Sequence, residues 1–322
     1  MSTRTPTFVQ QHRIEDARLA EEAAAGLRAH PAHVSPKFFY DALGSRLFDA
    51  ITELEEYYPT RTEAAIFAAS GAAIADAARA ITGPSPVLVD LGAGNCAKAA
   101  RLFPLLRPRR YVAVDISVDF LRESLLRLQR EHEAMDLVGV GLDFSARLEL
   151  PSVLADGPTL VFYPGSSIGN FAPEAAVRLL RDARAAARGG ALLIGVDLVK
   201  DKRVLDAAYD DALGVTAAFN LNLLNHVNRL LRADFDVRAW RHVAFYAAAA
   251  SRIEMHLEAR RALAVRWPGG ERSFAAGERI HTENSYKWTP AGFPTLLREA
   301  GFRDARCWTD PREWFAVFLA AA

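Results

Sequence analysis

The stretch Val87-Leu88-Val89-Asp90-Leu91-Gly92-Ala93-Gly94-Asn95-Cys96-Ala97-Lys98 decides how the rest of the chain is read. Its apolar run predicts a strand covered on both faces, because such strands lose the polar–apolar alternation of half-exposed ones. Gly92 and Gly94 predict a tight turn where a ligand can approach the backbone with no Cβ in the way. The alanine- and leucine-rich segment 97–106 predicts a helix. Its first N–H groups lack intrahelical partners and would face that ligand.

Outward from this stretch, strand-like runs at Arg110–Asp115, 136–140, Thr159–Tyr163 and 191–196 alternate with helical stretches at 97–106, 118–133 and 174–187. Such alternation predicts an α/β fold, a doubly wound parallel sheet with right-handed crossovers and ligands beyond the carboxyl ends of the strands. After Val196 the rhythm changes. One long helix is expected over 204–231, a half-buried strand over Arg252–Ala259, a turn at Pro268-Gly269-Gly270 and a polar extended piece over 278–288. Pro290 suits the first turn of a helix reaching 301, and 305–309 with 313–320 suggest a closing hairpin. Before the first strand, residues 1–13 are polar and expected to be loose. Residues 15–29 read as a helix, and Thr62 as the cap of a helix reaching about Ala80. The expected division is therefore 62–200 plus 289–322 for the sheet domain, and 1–61 plus 201–288 for a second, α+β substrate domain.

The totals agree with two domains, since 322 residues exceed the ~150 residues usual for one. Hydrophobic residues make up 51% and charged residues 24%, as in ordinary globular chains. Lys+Arg and Asp+Glu are both 39, so the basic excess of a broad nucleic-acid surface is missing. The two cysteines, Cys96 and Cys307, make no disulfide framework, and Cys96 reads as a small residue packed under a ligand. No signal-peptide pattern and no run of ~18 apolar residues stands out, so a cytoplasmic monomer with no membrane partner is expected. Three of the eight histidines, His242, His256 and His281, are dispersed and suggest no metal cluster. His256 is expected to face solvent, opposite Met255.

The segment Gly92-Ala93-Gly94-Asn95-Cys96-Ala97 fits the loose dinucleotide pattern GxGxx(G/A), with Asp115 about 20 residues on. An acidic residue at a second-strand end holds the ribose hydroxyls of NAD or of S-adenosylmethionine equally well. Asp90 before the turn, and Asp143-Phe144 after the third strand, favour the methyl donor, because an aspartate and an aromatic face suit an adenine. A closing hairpin without a second mononucleotide half points the same way. Both features belong to the class I (Rossmann-like) S-adenosylmethionine-dependent methyltransferase sheet.

Further blocks carry a family resemblance. They are Phe39-Tyr40-Asp41 with Gly44-Ser45-Arg46-Leu47-Phe48-Asp49, Glu56-Tyr57-Tyr58-Pro59-Thr60-Arg61-Thr62-Glu63, Pro164-Gly165-Ser166-Ser167-Ile168-Gly169-Asn170, Asp197-Leu198-Val199-Lys200-Asp201, Ala208-Tyr209-Asp210-Asp211-Ala212, Ile253-Glu254-Met255 and Thr282-Glu283-Asn284-Ser285. In these the chain resembles the ergothioneine-pathway L-histidine Nα-methyltransferases, in order and over nearly its whole length. The resemblance implies three successive methylations of L-histidine to the betaine hercynine, with S-adenosyl-L-methionine as donor and no metal. It implies that Tyr40, Gly92, Lys98, Asp115, Asp143 and Phe144 hold the donor. Asn170 and Tyr209 would hold the backbone end of the substrate. Tyr57, Glu283 and Ser285 would hold its imidazole, and Met255 and Phe48 would shape the pocket.

The residue chemistry suits those roles. Glu283 can accept from an imidazole N–H, and Ser285 can serve either ring nitrogen. Two residues apart on a strand, they would share a face. Taken singly, Glu283 reads as a surface ion pair, Asn170 as a turn residue, and Tyr57 and Met255 as packing. No residue stands out as a general base. Two other readings stay open: an Nα-methyltransferase of another amino acid with segment 282–288 reshaped, and a non-catalytic S-adenosylmethionine-binding protein.

Overall fold

The computed structural model describes residues 4–10, 16–145, 147–151, 154 and 156–322. They form two compact units. One takes in residues 4–10, Pro59–Val199 and Lys287–Ala322; the other takes in residues 16–58 and Lys200–Tyr286.

The first unit is built on an eight-stranded sheet. Its order is Thr7–Gln10, Asp136–Gly141, Arg110–Asp115, Val87–Leu91, Thr159–Tyr163, Ala191–Asp197, Phe315–Ala321 and Arg303–Thr309. The first six strands run parallel. Phe315–Ala321 then pairs antiparallel with Ala191–Asp197 and with the edge strand Arg303–Thr309, the closing hairpin of the expected class I sheet. The strand order reverses at Val87–Leu91, where α/β sheets place their ligands. Every residue of that strand is buried. Val87, Val89 and Leu91 enter one apolar layer with helix Pro173–Ala187, while Leu88 enters the other with helices Tyr58–Thr82 and Val118–Glu131. Two covered faces explain why the run is apolar throughout.

Several expectations are corrected here. The start of the chain is not loose where it is described, for Thr7–Gln10 adds a parallel strand beside Asp136–Gly141. Phe8 packs on one layer and Val9 on the other, and a Cβ on Gly139 would lie 2.7 Å from the Phe8 ring. Residues 1–3 and 11–13 of that stretch lie outside the described residues, as does residue 15 of the expected first helix. The segment 97–106 is two short helices, Ala97–Ala100 and Phe103–Leu106, the second with Pro104 in its first turn. Thr62 is no cap, since the helix already begins at Tyr58 with Pro59 in its first turn. That 25-residue helix is long and apolar enough to cross a membrane by length and composition. Ile66, Ile74, Ala75 and Ala78 on it join the core against the sheet. The late helix is only Phe293–Glu299, and Pro294, not Pro290, stands in its first turn.

In the second unit, a four-stranded sheet runs Ala32–His33, Arg279–Tyr286, Arg252–Ala259, Trp240–Ala247. A hairpin, Leu263–Trp267 with Gly270–Phe274, turns through Gly269 at φ +83°. Helices Asp16–Arg28, Ala42–Thr52, Lys202–Tyr209 and Val215–Leu231 complete it. The expected single helix over 204–231 is thus broken. Gly214 adopts φ +74°, and the Asp211 carboxylate accepts the N–H groups of Val215 and Thr216 at 2.9 and 2.7 Å. Those bonds satisfy donors that a continuous helix would have paired internally.

Candidate active site

In the first unit the glycine turn is closed on itself. The N–H groups of Gly92 and Ala93 donate to the Val114 carbonyl, and Gly94 N–H donates to Asp115 Oδ2 at 2.9 Å. Cys96 N–H goes to Ala93 and Ala97 N–H to the Asn95 side chain. The expected open row of helix N–H groups is therefore absent at these residues. Gly92 and Gly94 have φ +70° and +52°, conformations costly for side-chain-bearing residues. A Cβ on Gly92 would touch the Phe144 ring at 3.8 Å, which places Phe144 directly beside the turn. Asp115, at its strand's carboxyl end, also accepts from Ser117 N–H at 2.8 Å. Ile116 N–H and the Ser117 side chain bond to it as well, so the carboxylate is held by both the turn and the loop that follows its strand. Burial pushes the Asp115 carboxyl above its ordinary range, against the pull of the Ser117 and Gly94 bonds. Asp143 accepts from Ser145, and the Phe144 ring meets Tyr163 edge-on at 5.8 Å.

Asp90 and Lys98 have partners that no local pattern announces. Asp90 is 1% exposed and accepts from the Tyr111 hydroxyl at 2.7 Å. Burial pushes its carboxyl up to about 7, so it is a partner of Tyr111 within the core layer. Lys98 pairs with Glu63, at 2.7 Å from Nζ to Oε2. Glu63 is only 2% exposed, and its other oxygen accepts Gly165 N–H at 2.8 Å. Gly195 lies beneath it, where a Cβ would stand 2.1 Å from Oε1. No local pattern in the Tyr–Pro–Thr–Arg block marks Glu63, because its partners Lys98 and Gly165 lie 35 and 102 positions away. A cavity of about 490 Å³ opens beside the pair, walled by Thr60, Phe67, Leu102 and Leu105. The Cys96 thiol is buried and pushed up to about 12, mainly by desolvation, so it stays protonated and packs as expected. Asn170 ends the short 3-10 turn Ser167–Asn170 after the strand Thr159–Tyr163.

The second unit gathers most of the remaining candidates. The Tyr209 hydroxyl donates to Ser285 Oγ at 2.8 Å. Tyr57 stands edge-on to Tyr209 at 6.2 Å, Phe48 to Tyr57 at 6.3 Å, and Tyr40 to Phe48 at 5.8 Å. Tyr40, expected at the donor, thus sits among the aromatics of this cluster.

A β-bulge sets the direction of Glu283. His281 pairs with His256, yet Glu283 already pairs with Met255, so Thr282 is the extra residue. Strict alternation would put Glu283 on the His281 face. The bulge moves Glu283 and Ser285 onto the face of Ile253, Met255 and Leu257. Thr282 Oγ1 holds the bulge by donating to the Met255 carbonyl at 3.0 Å. Glu283 is consequently 8% exposed. His256 lies on the opposite face from Met255, but it does not face open solvent. It is 9% exposed, stacked on Phe245 at 5.6 Å and beside His281 at 5.1 Å. Among the described residues, no cluster of His, Cys, Asp or Glu could hold a metal ion.

Comparison with known proteins gives this geometry its context. A family model described as "Histidine-specific methyltransferase, SAM-dependent" matches residues 19–322. The chain is 44% identical over 310 residues to a histidine N-alpha-methyltransferase of Mycolicibacterium smegmatis, covering 94% of each chain. It is 41% identical over 324 residues to another of Mycobacterium tuberculosis, covering 97% of this chain and 98% of that one. It is 29% identical over 238 residues to a 4-dimethylallyltryptophan N-methyltransferase of Claviceps purpurea, covering 69% and 67%.

Proposed function

The chain belongs to the histidine-specific, S-adenosylmethionine-dependent methyltransferase family, and from that premise we propose that it methylates the α-amine of L-histidine three times, giving hercynine for ergothioneine biosynthesis. The observation that carries the choice of substrate is the Glu283 carboxylate. The Thr282 bulge turns it onto the buried face that also presents Ser285, itself hydrogen-bonded to Tyr209.

In this reading Glu283 accepts the imidazole N–H, and Ser285 serves the ring's other polar edge. Met255, opposite Glu283 in the sheet, limits the depth of the pocket. Tyr209 and Asn170 take the backbone end of histidine. The attacking amine must be neutral, so the nitrogen loses one proton before each of the three transfers, three in all. The product gains methyl groups on a nitrogen that ends as a permanent cation, and the faces of Tyr57, Phe48 and Tyr40 suit such a group. Most of the acceleration comes from holding the amine lone pair in line with the methyl group.

Gly92, Lys98, Asp115, Asp143 and Phe144 would hold S-adenosylmethionine. The glycine turn, closed by bonds to Val114 and Asp115, presents its Cβ-free face beside the Phe144 ring. When bound, the donor supplies an electrophilic methyl group on a sulfonium. Asp115→Ala should weaken donor binding about 10- to 100-fold, the worth of charge-assisted hydrogen bonds. Titration calorimetry with S-adenosylhomocysteine measures this, and an unchanged Kd would remove Asp115 from the donor site.

The substrate assignment is tested by incubating the protein with S-adenosylmethionine and single amino acids, histidine and tryptophan among them, and weighing the products. Mono-, di- and trimethylated histidine are expected. Preferred methylation of tryptophan would move the chain toward the activity in the name of its Claviceps relative. Absence of any turnover, with donor binding intact, would favour a non-catalytic binding protein.

A further inference from the structure

We infer that His242 is a positioning residue for substrate recognition, holding the backbone of Tyr209 through its Nε2–H so that the Tyr209 hydroxyl meets Ser285. The inference rests on Tyr209 being a substrate-binding residue.

His242 lies on the strand Trp240–Ala247, and its side chain is 3% exposed. Its Nε2 is 2.8 Å from the Tyr209 carbonyl oxygen. Its Nδ1 is 2.8 Å from the Asn220 side-chain nitrogen, which also lies 3.0 Å from the His256 carbonyl oxygen. These contacts leave one arrangement of protons. The His256 carbonyl can only accept, so the Asn220 amide must turn its NH₂ group that way. The second hydrogen of that NH₂ then points at His242 Nδ1, which must accept it. The remaining proton of a neutral imidazole sits on Nε2 and is donated to Tyr209 O. Burial favours the same neutral form by lowering the His242 pKa. The Tyr209 carbonyl bond and the carboxylates of Asp210 and Asp211 pull the other way.

The place of this bond in the fold gives it leverage. Tyr209 is the last residue of helix Lys202–Tyr209, and its carbonyl has no later turn to bond to. His242 supplies the missing donor from the sheet. The same residue carries the phenol that reaches Ser285 at 2.8 Å and faces Tyr57. A phenol hydroxyl stands far from its Cα, so a small tilt of the helix end becomes a large displacement at the oxygen. Misplacing a substrate-positioning group by ~1 Å costs on the order of 100-fold in rate. Asn220 is fully buried and ties the imidazole to the backbone of the strand that also carries Met255. Two pocket residues are thereby referenced to one buried amide.

The test compares His242→Gln, His242→Asn and His242→Leu with Tyr209→Phe. The glutamine amide nitrogen can occupy the place of Nε2 and donate to Tyr209 O. Asparagine reaches only the place of Nδ1, and leucine donates nothing. Steady-state kinetics in histidine, S-adenosylhomocysteine binding and thermal midpoints are measured for each. We expect His242→Asn and His242→Leu to raise the KM for histidine about 10-fold or more, the worth of one lost buried hydrogen bond and its geometry. His242→Gln should stay near the parent, and donor Kd should be unchanged throughout. If leucine prevents folding, the Gln and Asn variants still decide, because equal KM values in those two would overturn the inference. A parallel loss of thermal midpoint and donor binding in all three would do the same, by reducing His242 to a structural role. An unchanged KM in Tyr209→Phe would instead remove the substrate role of Tyr209, whatever the His242 variants do.

Discussion

Glu283→Ala should lower kcat/KM for histidine by about 3 kcal/mol, on the order of 100-fold, while the Kd for S-adenosylhomocysteine stays within about twofold. The substitution removes an acceptor that is already largely out of water, at 8% exposure. The carboxylate is already desolvated in the free enzyme, so binding costs it little more, whereas in the alanine variant the imidazole N–H enters a site with no acceptor. A site built around a buried hydrogen bond discriminates strongly for that reason. Glu283→Gln keeps a carbonyl oxygen at the same distance and should fall between the two. Discrimination between histidine and an isosteric side chain lacking the N–H should shrink in the alanine variant. An equal loss of donor binding would show that Glu283 supports the fold and does not read the substrate. The carboxylate points where it does because of Thr282, so inserting or deleting a residue there should be as harmful as Glu283→Ala itself.

The second large effect is on stability. Lys287 and Asp197 are 0% and 1% exposed, with Nζ 2.8 Å from Oδ2. Asp197 closes the strand Ala191–Asp197, and Lys287 stands where the chain rejoins the first unit. Around them Trp288 N–H donates to the Asp197 carbonyl, Val199 N–H donates to the Trp288 carbonyl, and Asp197 N–H donates to Ser166 Oγ. Lys287→Met keeps the length of the side chain but takes the ammonium away from a carboxylate that water cannot reach. The expected loss is about 3–5 kcal/mol, the usual result of removing one partner of a buried pair. Chemical unfolding followed by circular dichroism would read it as a lower midpoint with the slope unchanged. The double variant Asp197→Leu/Lys287→Met should recover much of the loss, because an apolar pair no longer carries the desolvation of a lone charge. A single variant as stable as the parent would mean that Asp197 finds another cation.

Much of the first unit was legible from local sequence. Val87–Leu91, Arg110–Asp115 and Thr159–Tyr163 are the runs expected, because a strand covered on both faces has a local signature. Asp115 and Phe144 stand at the turn as strand-end positions require. The misread pieces were those where a local rule competed with a distant contact. Thr7–Gln10 lies in a stretch that reads as polar and loose, yet it is a strand because Asp136–Gly141 offers it an open edge. Trp240–Ala247 and the hairpin at Leu263–Phe274 were not anticipated, since half-buried strands with mixed faces give a weak periodic signal. Residues 204–231 read as one helix because nothing nearby announced that Asp211 would turn back on Val215 and Thr216.

The sequence by itself determined the parallel α/β sheet, the ligand end of that sheet and, through its motif blocks, the family. These follow from periodicity, from glycines that need positive φ and from short local patterns, all of which are written within a few residues. Only the tertiary structure decided which way the candidate substrate residues point and what they lean on. A one-residue bulge at Thr282 chooses the face of Glu283. Glu63 meets Lys98 across 35 positions, and His242 meets Tyr209 across 33. Side-chain direction in a strand has a period of two, so a single inserted residue reverses it. Hydrogen bonds between remote segments depend on packing that no local window contains.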